Sequence, residues 1–298
     1  MKFGAHLSIA GGYEQALERA AAIGANCLQF FSGNPRSFAG PPVQGNVAVA
    51  EFKKHAAELG ISPLYFHAPY LVNLASEEPT GALSEKLLIA ELSTASRFGV
   101  RGSIVHPGSF KKSADDEKER LERLLIKRVK FILAEASGES VLIIENAGTR
   151  KIGRTLEEIA QIMSDVNSHR LKVCLDTCHL HAAGYDLGSR EKLEAFLKNF
   201  DKTIGLARLE CFHINDSRDP FGSLRDRHEN IGEGAVGKEV FKLLLNHPRT
   251  KHLPFIIETP GFDGMGPDKK NLDILKSLSS GLIRDSEAHN KPSRQARA

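Results

Sequence analysis

No apolar run in this chain approaches the roughly 20 residues that a helix needs to cross a bilayer, so a helical membrane protein is not expected. The opening residues, MKFGAHLSIAGG, lack the long apolar stretch of a secretory leader and read as a first strand, which leads to the expectation of a cytoplasmic protein. Cysteine is scarce, with only Cys27, Cys174, Cys178 and Cys211 among 298 residues. Each lies in or beside an apolar run, and no zinc-ribbon spacing occurs, so buried thiols in a reducing compartment are expected. Strong charge of one sign is also missing. The net charge of +3 is mildly basic, which permits nucleic-acid binding without demanding it. The sequence has no internal repeat and no linker that would split it in two.

What it does have is a steady alternation. Strand-like apolar runs begin near Phe3, Cys27, Leu64, Gly102, Val141, Lys172, Leu209 and Pro254. Between them lie stretches with apolar residues at helical spacing, among them YEQALERAAAIG, AVAEFKKHAAELG, KLLIAELSTASRFG, TLEEIAQIMSDV, REKLEAFLKNF and KEVFKLLLNH. Several end in glycine, a helix C-terminal signal, as at Gly24, Gly60, Gly99 and Gly138. Hydrophobic residues make up 41% of the chain, enough for a large core. Eight strand-then-helix units at this length read as one α/β domain, a (β/α)8 TIM barrel over residues 1–283. The polar, aperiodic segment 284–298 reads as a disordered tail.

The strand ends carry the chemistry. His67, His106, Glu145, Asp176, His179, His213 and Glu258 each sit at or just beyond the C-terminal end of an apolar run, and a loop, DRHENIGEG, adds Asp226 and His228. In a parallel barrel those ends converge on one mouth, where the active site lies. A carboxylate such as Glu145 directly after Val-Leu-Ile-Ile must be paired or metal-bound, because burying it bare is costly. Asp226 and His228, two apart, point to the same side of an extended chain and could form a two-ligand clip. Asp176 and His179 need not share an ion, since the chain turns sharply after the strand. Asn215 and Asp216 read as loop-capping groups. His6 ends the first strand and could line the pocket, and His181 reads as a neighbour of His179. Mixed histidine and carboxylate donors suit zinc, manganese or iron better than calcium or magnesium, and nine donors call for two or three ions.

At this point the chain resembles the endonuclease IV family of abasic-site endonucleases. The motifs that carry the resemblance are GAHLSIAGG, CLQFFSGNPRSF, HAPYLVNLAS, HPGS, IENAG, CLDTCHLHAAGYD, HINDS, DRHENIGEG and IIETPG, from Met1 to about Arg284. The resemblance implies three Zn2+ ions, with Mn2+ or Fe2+ able to stand at some sites. His67 and His106 would hold one, and Asp176, His213 and Glu258 a second. Glu145 would bridge these two, and His179, Asp226 and His228 would hold the third. It implies metal-assisted hydrolysis of the phosphodiester 5′ to an abasic sugar, with Glu145 and Glu258 as the catalytic carboxylates. The products would be a 3′-hydroxyl and a 5′-deoxyribose phosphate, and 3′ blocking groups would also be removed. The partner would be double-stranded DNA with an abasic site, met by a monomer without a nucleotide cofactor.

The same resemblance implies that two loops enter the minor groove, one carrying Asn34 and Arg36, the other Tyr70 and Leu71. Arg36 would fill the gap in the base stack while Tyr70 and Leu71 wedge against exposed bases. Lys111, Lys112, Lys151, Arg154, Arg218, Arg225 and Arg227 are further candidates for phosphate contacts. Two rival readings stand beside this one. A sugar isomerase or epimerase on the same barrel would use Glu145, Asp176, His213 and Glu258 alone. A non-catalytic zinc or DNA-binding module would need closed metal sites, which nine donors cannot supply to three ions without sharing.

Overall fold

The structure is a computed structural model, and it describes residues 1–110 and 115–279. Seven strands follow one another along the chain: β1 (Lys2–His6), β2 (Cys27–Phe31), β3 (Leu64–His67), β4 (Gly102–Val105), β5 (Val141–Glu145), β6 (Leu171–Asp176) and β7 (Leu209–His213). Two-residue strands β8 (Asp216–Ser217) and β9 (His228–Glu229) come next, then β10 (Pro254–Ile257). All but β8 and β9 are parallel and close into a barrel in the order β1-β10-β7-β6-β5-β4-β3-β2. The strands are short apolar runs because both of their faces are covered, and β5, VLIIE, is buried at every residue. The (β/α)8 barrel expected from the alternation is therefore the observed fold, and every expected strand lies within one residue of its place.

Helices wrap the outside: α1 (Tyr13–Ala22), α2 (Asn46–Glu58), α3 (Thr80–Phe98), α4 (Asp115–Glu135), α5 (Leu156–Val166), α6 (Thr177–Ala183), α7 (Arg190–Thr203), α8 (Lys238–Asn246) and α9 (Lys269–Ser279). The four glycines read as helix stops all have positive φ, and Gly99 caps α3 in the left-handed conformation at φ 71°. Between helices and sheet lies the main core, where Tyr13 meets Phe30, Phe52, Phe66 and Phe98 at ring distances of 5.1 to 5.9 Å. Inside the barrel a smaller apolar plug of Cys27, Tyr65, Ile104, Val141, Ile143, Cys174, Cys211 and Ile256 fills the floor. All four cysteines are free and buried, as their sequence context suggested.

That floor is tight. A Cβ built on Gly102 would lie 2.0 Å from the carbonyl oxygen of Val141, its partner on the next strand. Gly102→Ala should therefore cost about 1–3 kcal/mol of overpacking. A thermal midpoint equal to that of the parent protein would refute this.

Two local features were not read from the sequence. After Asp176 the chain turns sharply into a helix. It enters α6 at once, with the Asp176 carboxylate capping the helix by accepting from the His179 backbone N–H at 3.0 Å. The loop 214–230 is pinned by the β8–β9 ladder, in which Ser217 faces His228. The expected tail 284–298, the domain limit at residue 283, and Lys111 and Lys112 lie outside the described residues. Among the described residues no helix is long and apolar enough to cross a membrane.

Candidate metal centre

Parallel register sets the site. Asp176 at the end of β6 lies level with His213 at the end of β7, and His67 on β3 lies level with Phe31 on β2. The nine residues singled out in the sequence fall into three groups at this one mouth. His67, His106 and Glu145 form one, Glu145, Asp176, His213 and Glu258 a second, and His179, Asp226 and His228 a third. Within each group the candidate donor atoms all lie within 4.8 Å of one another. Cys178 also comes within reach of Asp176 and His228. Burial and then the nearby Asp176 charge push its thiol up to about 12, so it stays protonated and acts as a buried thiol.

Glu145 belongs to two groups, and its two oxygens divide the work. Oε2 lies 3.3 Å from His67 Nε2 and 3.4 Å from His106 Nε2. Oε1 lies 3.1 Å from His213 Nδ1 and 3.2 Å from His179 Nδ1. Asp226 closes the third group from the rim, 3.0 Å from His179 Nε2 and 3.5 Å from His228 Nε2. Neither of those two imidazole nitrogens has a hydrogen-bond partner, although both are buried. Buried nitrogens left without a partner and facing a carboxylate are what a cation site requires, so the donors fit zinc or a similar ion.

The imidazoles are held in defined tautomers. His67 Nδ1 donates to the Ala68 carbonyl at 2.7 Å, His179 Nδ1 to the Asn146 carbonyl at 2.9 Å, and His228 Nδ1 to the Glu258 carbonyl at 3.2 Å. Each leaves Nε2 free for the carboxylates. Metal-binding histidines are oriented in this way, by fixing the proton on the ring nitrogen that does not bind.

The charges are strongly coupled. Burial would raise the Glu145 carboxyl, but His106 and His213 hold it well below the usual range. Glu258 is likewise held well below its ordinary value, chiefly by His213 against burial. Burial opposes the charged form of His213, yet Glu258 and Glu145 lift it to about 10. His106 goes the other way, lowered to about 4 by burial despite Glu145. Asp226 is lowered to about 2, where His179 outweighs burial. In the metal-free protein a proton on His213 thus offsets the charge of Glu258 and Glu145, and a bound cation would replace it.

Several supporting groups escaped the sequence reading. Asn215, read there as a loop cap, donates from Nδ2 to Asp176 Oδ2 at 2.7 Å and accepts from the Glu258 backbone N–H at 2.7 Å. Asp216 does cap the loop, accepting from the Gly232 and Val236 backbone N–H groups. Asn146 accepts from the Asp176 backbone N–H at 2.6 Å. His6 lines the site as expected, with Nδ1 3.0 Å from Glu258 Oε1. His181 does not back His179: its Nε2 donates to the Asp219 carbonyl at 3.2 Å. Gln29, buried in the middle of β2, also reaches into the site.

Around the mouth stand the two loops. Tyr70 is 72% and Leu71 42% exposed, the Tyr70 ring 5.9 Å from that of His67. Asn34 and Arg36 are exposed, and Asn34 Oδ1 accepts from the Arg36 backbone N–H at 3.0 Å. Lys151 lines a cleft with Tyr70, His106 and Ser109. Three of the candidate phosphate-binding arginines are already engaged. Arg227 forks onto Asp219, Arg225 lies 3.5 Å from the same carboxylate, and Arg218 lies 3.1 Å from Glu229.

Comparison with known proteins agrees with this geometry. The family model described as "Xylose isomerase-like TIM barrel" matches residues 17–278. The "Probable endonuclease 4" of Chloroflexus aggregans is 35% identical over 93% of this chain and 97% of its own length. That of Trichlorobacter lovleyi is 37% identical over 92% and 98%. Among solved structures, endonuclease IV from Thermus thermophilus superposes with a TM-score of 0.79 at 32% identity, covering 94% of this chain and 99% of that one. A D-tagatose 3-epimerase-like protein superposes with a TM-score of 0.71 at 20% identity over 94% and 97%, a likeness of fold alone.

Proposed function

Because the chain belongs to the endonuclease IV family of abasic-site endonucleases, within the xylose isomerase-like TIM barrels, we propose that it is a metal-dependent DNA-repair endonuclease acting on double-stranded DNA at abasic sites. The reaction is hydrolysis of the phosphodiester 5′ to the abasic sugar, leaving a 3′-hydroxyl and a 5′-deoxyribose phosphate, with 3′ blocking groups removed by the same chemistry. The observation that carries the reading is the convergence of three donor groups on one barrel mouth, two of them sharing Glu145.

His67, His106 and Glu145 would hold one zinc ion, Glu145, Asp176, His213 and Glu258 a second, and His179, Asp226 and His228 a third. Zinc bound there would bring the pKa of a shared water close to neutral and offset charge on the phosphate. The chain's own groups do the rest. The buried carboxylates fix the donors, Asn215 and Asn146 hold Asp176, and the backbone carbonyls fix the histidine protons. Tyr70, exposed beside His67, and the exposed Leu71 that follows it would be the side chains that pry open the base stack. An abasic nucleotide costs less to extrude, since its pairing and stacking are already missing. A sugar-isomerase reading would use Glu145, Asp176, His213 and Glu258 and leave the other five donors without a role.

The direct test is a duplex oligonucleotide carrying one abasic-site analogue that cannot undergo β-elimination, beside an intact control. A nick only at the lesion, with a polymerase-extendable 3′ end, is expected; no nick by zinc-replete protein removes the reading. Tyr70→Ala should weaken binding to abasic duplex about tenfold, in line with about 1–3 kcal/mol per stacked base, and weaken binding to intact duplex much less. Equal losses on the two duplexes would refute a lesion-specific wedge.

A further inference from the structure

We infer that Gln29 is a positioning residue that fixes the tautomer of His213 and the orientation of Glu258, and thereby tunes one of the three metal positions separately from the other two. This inference rests on the metal-centre reading above.

Gln29 is the central residue of β2, CLQFF, with apolar residues on either side along the strand, and it is fully buried. A buried carboxamide has to find partners for its N–H groups and oxygen or its burial is costly. Gln29 Nε2 lies 2.5 Å from Glu258 Oε1 and 2.9 Å from His6 Nδ1, and Gln29 Oε1 lies 2.7 Å from His213 Nε2. The orientation of the amide follows from these partners. A carboxylate oxygen only accepts, so the nitrogen must face Glu258, and the oxygen is then left to accept from His213. His213 therefore carries a proton on Nε2. Its Nδ1 points the other way, 3.1 Å from Glu145 Oε1, 3.6 Å from Glu258 Oε2 and 3.9 Å from Asp176 Oδ2.

This places Gln29 apart from every other orienting contact of its kind here. His67, His179 and His228 have their Nδ1 protons fixed by backbone carbonyls, and they would bind through Nε2. His213 has its Nε2 proton fixed instead, by a side-chain amide rather than a backbone carbonyl, and would bind through Nδ1. Gln29, together with His6, also holds Glu258 Oε1, leaving Oε2 to face the donors around His213. One carboxamide thus sets two donors of the group formed by Glu145, Asp176, His213 and Glu258, and no donor that belongs only to the other two groups. Partners of this kind are worth 10–100-fold in metal affinity.

The test is a zinc titration of metal-free protein against a competing chromogenic chelator, wild type beside Gln29→Met, which keeps the volume and removes the hydrogen bonds. Wild type is expected to take up three zinc ions per chain. In the variant one uptake step should weaken roughly 10–100-fold while the other two keep their affinities. Three unchanged steps would overturn the inference, and so would equal weakening of all three, which is the mark of a general structural defect. Failure of the wild type itself to bind three ions would instead count against the metal-centre reading. Should the variant not fold, zinc-loaded wild type carries the test by long-range 1H–15N correlation of the imidazoles. His213 must show its proton on Nε2 and the metal on Nδ1; the reverse tautomer overturns the inference.

Discussion

Glu145→Ala should lower cleavage at an abasic site by at least about a thousandfold, equivalent to about 4 kcal/mol of barrier. The reason is the division of its two oxygens. Oε2 faces His67 and His106, Oε1 faces His213 and His179, and Glu145 is the residue common to the first two donor groups among the described residues. Removing it should leave two adjacent metal positions short of one donor each and cut zinc content as well as rate. Glu145→Gln separates charge from shape, because the amide fills the same space with a single acceptor oxygen. It should retain the fold and still lose most activity. The check is zinc per chain alongside cleavage of abasic duplex. Full activity of Glu145→Ala at unchanged metal content would rule out a bridging role.

A second large effect concerns stability and pH. Glu91 on α3 is fully buried, accepting from Ser32 Oγ at 2.5 Å and Ser103 Oγ at 2.6 Å. Burial pushes its carboxyl from 4.5 up to about 7, the two serine hydroxyls opposing. Because the folded value lies above the unfolded one, the folded chain holds its proton longer. Below about pH 4.5 both states are protonated and no stability is lost. As pH rises from about 4.5 to about 7 the unfolded chain ionises first, and stability falls. At about 1.4 kcal/mol per pH unit the loss is on the order of 3 kcal/mol, and it levels off above about pH 7. Glu91→Gln removes this dependence. Denaturant unfolding of both proteins at pH 4.5 and pH 8 should show the variant gaining on the parent by that amount at the higher pH. A constant difference between them would exclude Glu91 as the source. Ser32 also accepts a hydrogen bond from the Tyr13 hydroxyl and lies two residues before Asn34, so the same carboxyl helps anchor the loop that bears Arg36.

The barrel was legible from its alternation of apolar runs and helices, and seven of the nine candidate residues for a separate physical reason. A histidine or carboxylate closing a run such as VLIIE or CLD is an expensive placement, and seven such placements at strand ends point to one convergence. The supporting groups were less legible, because their meaning lies in partners far along the chain. Gln29 meets Glu258 across 229 residues. A signal was present nonetheless, since an amide in the middle of CLQFF needs buried partners. Glu91 gave a similar sign, falling on the buried face of α3 with Leu87, Leu88, Leu92 and Ala95. Helix α6 is seven residues long, too short for apolar periodicity to reveal. Its cap, Asp176, was recognised only as a ligand. The arginines of the 218–227 loop looked free because Asp219 and Glu229 pair with them only after the chain folds back.

The carbonyl clamps on His67, His179 and His228 have a consequence for how this centre tolerates mutation. Every residue type presents the same backbone carbonyl. Exchanging the side chain of Ala68 or Asn146 therefore leaves the acceptor for the imidazole proton in place, and drift at those positions is silent with respect to tautomer. Fragility moves instead to the positions that fix the path of the backbone. Gly148 is one of them: any side chain there would bring its Cβ to 2.9 Å from the His179 Cα and 3.1 Å from the imidazole itself. The placing of the imidazole protons is thus indifferent to the side chains at the accepting positions, and brittle at a residue that carries no chemistry at all.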